Sequence, residues 1–174
     1  MIDVAEALLR IQRAAVVVQP RRVRIEDAVG LRLQEDVISD TDSPPWHRSM
    51  MDGFAVISKD FVHSSDCKQA VTLKVVAKVG AGETTATVLK RDQCIRIMTG
   101  APMPAGADAV IPIERAVSGT SHAHAGEQVS LQDPHFRYGQ HVSEKGSFFR
   151  AGQAVIRHGI ELEPVHIGLA AEAG

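Results

Sequence analysis

Ser49-Met50-Met51-Asp52-Gly53-Phe54-Ala55-Val56 sets one acidic side chain among apolar neighbours, with a glycine directly after it. The glycine permits a tight or positive-φ turn into a strand. An aspartate so placed can aim its carboxylate into a cleft, to hold a divalent cation or an acidic proton. The competing reading is an aspartate that accepts hydrogen bonds from its own turn, as Asp-Gly often does. On the residues alone that structural reading is the commoner one.

A second stretch, Met98-Thr99-Gly100-Ala101-Pro102-Met103-Pro104-Ala105-Gly106-Ala107-Asp108-Ala109-Val110, is built of small residues. Such residues expose backbone N–H groups, the two prolines stiffen the loop, and Thr99 and Asp108 offer oxygen atoms. A stiff loop after a strand can cradle an oxyanion, although a merely rigid turn is again the commoner outcome. The stretch matches neither G-x-x-x-x-G-K-[ST] nor G-x-G-x-x-G, so nucleotide binding by those routes is not supported.

Upstream, Val4, Leu8, Ile11 and Ala15 recur at helical spacing behind Asp3, a capping residue, and the pattern ends by Pro20. Glu26 to Val29 reads as a short helix stopped by Gly30, and Asp36-Val37-Ile38 as a strand before Ser43-Pro44-Pro45. From Trp46 to about Pro134 the pattern is mostly β. Strands are expected at Val71–Ala77, Thr85–Leu89, Cys94–Met98 (half-buried, because it alternates) and Glu127–Leu131. Ala109–Ile113 belongs on a sheet edge or at a strand end, since Pro112 cannot donate to a ladder. Ser118–Gly126 is the best hairpin loop. Phe148-Phe149 and Ala154–Ile156 read as short strands. Pro164 starts a terminal helix with Ile167, Leu169, Ala170 and Ala173 on its apolar face. A chain stopping at Gly174, one residue after such a helix, reads as one that continues into another domain.

Hydrophobic residues make up 44% of the 174 and aromatics 4%, so a core is available and rests on Val, Ile, Leu and Ala. A net charge of −2 gives no reason to propose a nucleic-acid or membrane-surface partner. Cys67 and Cys94, isolated from each other, fit a reducing cytosol. No apolar run approaches the roughly 18 residues of a membrane span, and the N-terminus lacks a signal-peptide pattern; the expectation is a soluble, cytoplasmic protein. His122 and His124 sit in a Ser/Ala/Gly loop without acids or thiols, which argues against zinc. His47 is a weak rim candidate.

Together the two quoted loops resemble those of the molybdopterin molybdenumtransferase family, the molybdenum-cofactor insertases to which the large domain of gephyrin is also similar. The family's first loop reads Ser-Ala-Met-Asp-Gly-Tyr-Ala-Val. Its second reads Thr-Gly-Ala-Pro-(Leu/Met)-Pro-x-Gly-Ala-Asp-Ala-Val, with a glutamate soon after that Glu114 supplies here. Ala28–Val37, Pro44-Pro45-Trp46, Ala151-Gly152 and Pro164–Ala170 also line up in order, so the likeness covers nearly the whole chain.

The resemblance implies an α+β, mostly β fold: an elongated, discontinuous αβ domain with an inserted, predominantly β domain. Residues 1–44 with 139–174 form the first, and 45–138 the second. The helix within residues 1–20 would pack on a pterin-binding domain that lies beyond these residues. The implied reaction replaces the adenylate of adenylyl-molybdopterin with molybdate and releases AMP, assisted by Mg²⁺. The implied assembly is a homodimer whose site lies between subunits. Asp52, as a cation ligand or water-positioning group, and Thr99, as a donor to molybdate or phosphate, are the implied catalytic residues. Gly53, Gly100, Ala101 and Lys145 line the substrate and anion loops, and Asp108 and Glu114 are structural acids. The chain departs from the family pattern where an arginine appears as Ser143 and an acid as Phe148; Lys145 keeps one positive charge. That departure keeps open a noncatalytic dimerisation or interaction module with a decayed site. A stand-alone anion-binding protein is a third reading.

Overall fold

Apolar runs that carry no polar alternation need cover on both faces, and this governs the central sheet. The computed structural model describes residues 2–16, 18–61, 69–118 and 124–174. Its strands are β1 (Val37–Ile38), β2 (Arg48–Ser49), β3 (Gly53–Val56), β4 (Val71–Val79), β5 (Gln93–Ile97), β6 (Ala109–Pro112), β7 (Ala116–Ser118), β8 (Gln128–Leu131), β9 (Val142–Ser143) and β10 (Ala154–Ile156). The helices are α1 (Val4–Ala14) and α2 (Pro164–Ala173). Six strands form one sheet in the order β6-β3-β5-β4-β8-β7, antiparallel except for the β4–β5 pair.

Phe54, Val56, Leu73, Val75, Cys94, Ile111, Val129 and Leu131 pack on one face of this sheet. Ala55, Val79, Ile95, Ile97 and Val110 pack on the other, under Leu89 and Ala101. Every residue of β3 and β6 is buried, which is why both read as continuous apolar stretches. β6 lies on the sheet edge and ends at Pro112, the placement its missing N–H requires.

Thr85–Leu89 is not a strand. β4 and β5 run parallel, so the chain between them must cross the sheet rather than turn back in a hairpin. The crossing segment alternates as expected, with Leu89 buried, but has no ladder of its own; Leu89 N donates instead to Ala105 O at 2.8 Å. β5 is buried throughout Cys94–Ile97 rather than half-buried, because Arg96 is folded inward and only 7% exposed. Phe148-Phe149 also forms no strand; Phe149 makes one isolated bridge to Ser43 just after a left-handed Gly146. β7 and β8 pair as the arms of the expected hairpin, while residues 119–123 of its loop, with His122, and Cys67 lie outside the described residues.

The chain's first and last segments meet. Val37 pairs with Ile156 and Ile38 with Ala154, and α2 packs Ile167, Leu169 and Ala170 over Ala28, Ile156 and Leu162. The expected Glu26–Val29 helix is one 3₁₀ turn at Ile25–Asp27, followed by Gly30 at φ +79°. α1 is capped by Asp3, whose carboxylate accepts from Glu6 N at 2.7 Å, yet it buries no residue; Val4, Leu8 and Ile11 all face solvent. Among the described residues, no helix is long and apolar enough to cross a membrane.

Candidate functional site

Three segments remote in sequence are laced together at one end of the β3–β5 pair. Arg48 and Ser49 pair with Ser143 and Val142, and Arg48 also bridges to Pro102. Ser49 N donates to Ala101 O and Gly100 N to Ser49 O, each at 2.9 Å. Met103 N donates to His47 O at 2.9 Å and Met50 N to His141 O at 2.8 Å. The loop at 47–52 therefore lies between the loop at 98–103 and the strand end at 141–145.

This lacing brings Asp52 and Thr99 into contact. Asp52 Oδ1 accepts from Thr99 N and from Thr99 Oγ1, both at 2.7 Å. These two bonds, the amide first, hold the Asp52 carboxyl below the ordinary carboxylate value; partial burial opposes them, and the charge of Arg96 adds to the lowering. Asp52 is therefore an anion at neutral pH. Its Oδ2 accepts no hydrogen bond from the described residues.

The same bonds alter what the second loop offers. Thr99 N is taken by Asp52, Gly100 N by Ser49 O and Ala101 N by Met98 O, so these three amides are not free to cradle an anion. The hydroxyl proton of Thr99 is likewise directed at Asp52. The loop is stiff because it holds itself and its neighbour. Gly100 sits at φ +83° with open space around it, the left-handed turn that only glycine adopts freely. Gly53, by contrast, is not at positive φ. It is glycine because a Cβ there would overlap the carbonyl oxygen of Ile111 on β6, so its role is close strand approach. Ala101 is fully buried under the sheet.

The remaining candidates divide by position. Lys145 follows β9; its N–H donates to His47 Nδ1 at 3.3 Å, and its ammonium lies 3.3 Å from Asp42. Asp108 is away from the carboxylate–hydroxyl pair, accepting from Ser58 N at 2.6 Å and Ser58 Oγ at 2.8 Å. Glu114 stands on a 3₁₀ turn whose first residue, Ile113, donates its N–H to Asp52 O at 3.0 Å. An open cleft of about 600 Å³ adjoins that turn and includes Glu114, Arg115, His135, Arg137 and His141 in its lining. Among the described residues, no three His, Cys, Asp or Glu side chains gather as a metal cluster.

Two residues escaped the sequence reading. Arg96 pairs directly across from Phe54 with its guanidinium carbon 5.5 Å from the ring centroid, and it donates to Gly53 O and Ile97 O at 2.8 Å each. Burial pushes its pKa down while Asp52 and Glu114 push it back up. A lone arginine between two isoleucines of an apolar strand was the available signal. Arg48 lies over Phe148, 5.5 Å from the ring centroid; nothing in its sequence context marked it. Cys94 carries no site chemistry: burial pushes its thiol up to about 12.

With this geometry in hand, the family described as "MoeA N-terminal region (domain I and II)" matches residues 2–174. The chain belongs to that family. Among curated MoeA-type relatives, the molybdopterin molybdenumtransferase of Staphylococcus epidermidis is 35% identical over 116 residues, covering 67% of this chain and 27% of its own length. Molybdopterin molybdenumtransferase 1 of Mycobacterium tuberculosis is 34% identical over 135 residues, covering 70% of this chain and 32% of its own. The chain thus spans about a third or less of those proteins. Two crystal structures of the MoeA molybdopterin biosynthesis protein of Pyrococcus horikoshii superpose on it. One has a TM-score of 0.81 at 29% identity over 99% of this chain and 42% of that one; the other has a TM-score of 0.77 at 27% identity over 88% and 38%. The α+β, mostly β fold expected from the loops is the MoeA N-terminal fold.

Proposed function

We propose that this chain is the N-terminal part of a molybdenum-cofactor insertase, which replaces the adenylate of adenylyl-molybdopterin with molybdate and releases AMP. The observation that carries the reading is the Asp52–Thr99 pair: a carboxylate held ionised by two bonds to one oxygen, with the other oxygen unused by the described residues. Thr99 acts here as a positioning residue, since its hydroxyl proton is given to Asp52. Arg96 supports the pair from beneath by fixing the carbonyl of Gly53 and by its charge.

A Mg²⁺ ion fits this arrangement. Magnesium keeps several waters and binds one or two carboxylates together with substrate phosphates, so a single free Asp52 oxygen is an adequate protein contribution. When bound, the ion would neutralise charge on the phosphoanhydride. The reading further places residues 1–44 with 139–174 in one domain and 45–138 in an inserted one, in a cytoplasmic homodimer. The exposed apolar stripe of α1 is available to pack on the pterin-binding domain. Without that domain the chain alone is inactive.

A second reading rests on Phe148, which is 63% exposed beside Arg48 at the position where the resemblance implies an acid. On it, the chain is a noncatalytic dimerisation module of the same fold. Asp52→Ala in a full-length protein carrying this chain separates the two. Loss of molybdate insertion with unchanged dimerisation is expected, and full retention of insertion would remove the catalytic role.

A further inference from the structure

Gln140 is buried, and each of its polar atoms has a partner. Its side-chain amide donates to Asp133 Oδ2 at 3.0 Å and to Val110 O at 3.3 Å, and its Oε1 accepts from Arg137 N at 3.2 Å. Its N–H donates to Arg137 O at 3.3 Å, and its carbonyl accepts from Val110 N at 3.1 Å. Asp133, equally buried, is fixed in turn by the N–H of His135 at 3.1 Å. A buried amide with all its bonds made specifies one arrangement, because losing any of them leaves a desolvated group unpaired. Here the arrangement ties the turn at 133–140 to both backbone groups of Val110 on the edge strand β6.

The next residue is held against its own preference. His141 lies at φ +56°, just after Gly139 at φ +72°. A residue with a Cβ keeps the left-handed region only where its surroundings fix it. In that conformation His141 O accepts from Met50 N at 2.8 Å, and Met50 stands two residues before Asp52. β9 then begins at Val142, opposite Ser49. The grip on the Asp52 loop from this side therefore starts at Gln140.

We infer that Gln140 is a positioning residue for the Asp52–Thr99 pair: it locks the turn at 133–141 to β6, so that His141 O holds the loop that carries Asp52. Its use in catalysis rests on the insertase reading, whereas the lock itself is read without turnover.

Amide hydrogen exchange of the 174-residue chain, followed by NMR, tests the lock. Met50 N–H reports the bond to His141 and Thr99 N–H the bond to Asp52. Val75 N–H, which donates to Glu127 O at 2.8 Å away from β6, is the control. Gln140→Met fills the space but makes none of the side-chain bonds. It should speed exchange at Met50 about tenfold or more relative to Val75, and at Thr99 severalfold. Gln140→Glu keeps the shape but sets a second carboxylate against Asp133, and should do the same at about pH 8. Adding His141→Gly to Gln140→Met should restore part of the Met50 protection, because glycine holds a left-handed φ without support. Equal acceleration at all three amides, or full tolerance of Gln140→Glu, is what a residue that only packs predicts, and either result overturns the inference. So does wild-type protection of Met50 in Gln140→Met. Should Gln140→Met fail to fold, Gln140→Glu decides by the same comparison. If Gln140→Met loosens Met50 and Thr99 while Asp52→Ala in the full-length protein leaves insertion whole, the insertase reading fails and the lock stands. If Asp52→Ala abolishes insertion while both amides stay protected in Gln140→Met, the positioning role alone fails.

Discussion

Thr99 gives both its backbone N–H and its hydroxyl proton to the same oxygen of Asp52, across a sequence separation of 47 residues. Both bonds favour the charged carboxylate, so the folded-state pKa lies below the unfolded one, which is about 3.9 for an aspartate. The stability this contributes is fully present above the unfolded value and is lost as pH falls through the folded one.

Thr99→Val removes the hydroxyl donor and keeps the amide. Because the amide is the larger influence, the Asp52 titration should move only part of the way back toward its ordinary value. Carbon NMR of the Asp52 carboxyl across the acid range measures this. The stability gap between wild type and variant should be constant above about pH 5 and close below it as both carboxyls protonate. A titration unmoved by the substitution would mean that the hydroxyl bond is not formed in solution.

The two glycines separate by mechanism under one substitution. Gly53→Ala drives a methyl into the Ile111 carbonyl on β6, a backbone collision that side-chain rotation cannot relieve. A loss of about 2–3 kcal/mol in denaturant unfolding is expected. Gly100→Ala meets no atom but must hold φ at +83°, costing about 1 kcal/mol. Equal costs, or the reverse order, would contradict the assignment of Gly53 to strand packing.

Arg96→Met tests the buried cation. Methionine avoids the desolvation of a charge that has no directly bonded carboxylate, which favours the variant. It also abandons the carbonyls of Gly53 and Ile97, two acceptors in a buried setting. The second effect should win by about 1–2 kcal/mol in thermal or denaturant unfolding. The Asp52 titration should also rise slightly as a nearby positive charge is removed. A variant as stable as wild type would show that those carbonyls find other donors.

Local chemistry carried most of what the residues revealed. Asp3 caps α1, Pro164 opens α2, Gly30 takes the left-handed turn after the 3₁₀ segment and Pro112 terminates an edge strand, each because a short-range steric or hydrogen-bonding rule decides it. Both motif loops were visible as unusual compositions, but the direct contact of Thr99 with Asp52 was not, since the resemblance implied a hydroxyl that donates to substrate. What escaped was set by partners far along the chain. Thr85–Leu89 has the alternation of a strand, but it joins no ladder and Leu89 N donates to the loop carbonyl of Ala105 instead. Arg96 reads as the solvent side of a half-buried strand until Phe54 and Gly53 arrive to enclose it. The amides of Thr99, Gly100 and Ala101 looked available because their acceptors, Asp52, Ser49 and Met98, are found only by folding.

β3 joins β5 and β6 only by closing long stretches of chain, and β4 must run parallel to β5 before the segment between them can settle. Closing such loops costs entropy before any contact offsets it, so sheets wired this way form slowly. The Asp52 carboxylate and the Thr99 hydroxyl stand at the adjoining ends of β3 and β5. Their meeting is therefore expected late on the folding path, and an intermediate with native helices but an unfinished sheet would lack the Asp52–Thr99 contact.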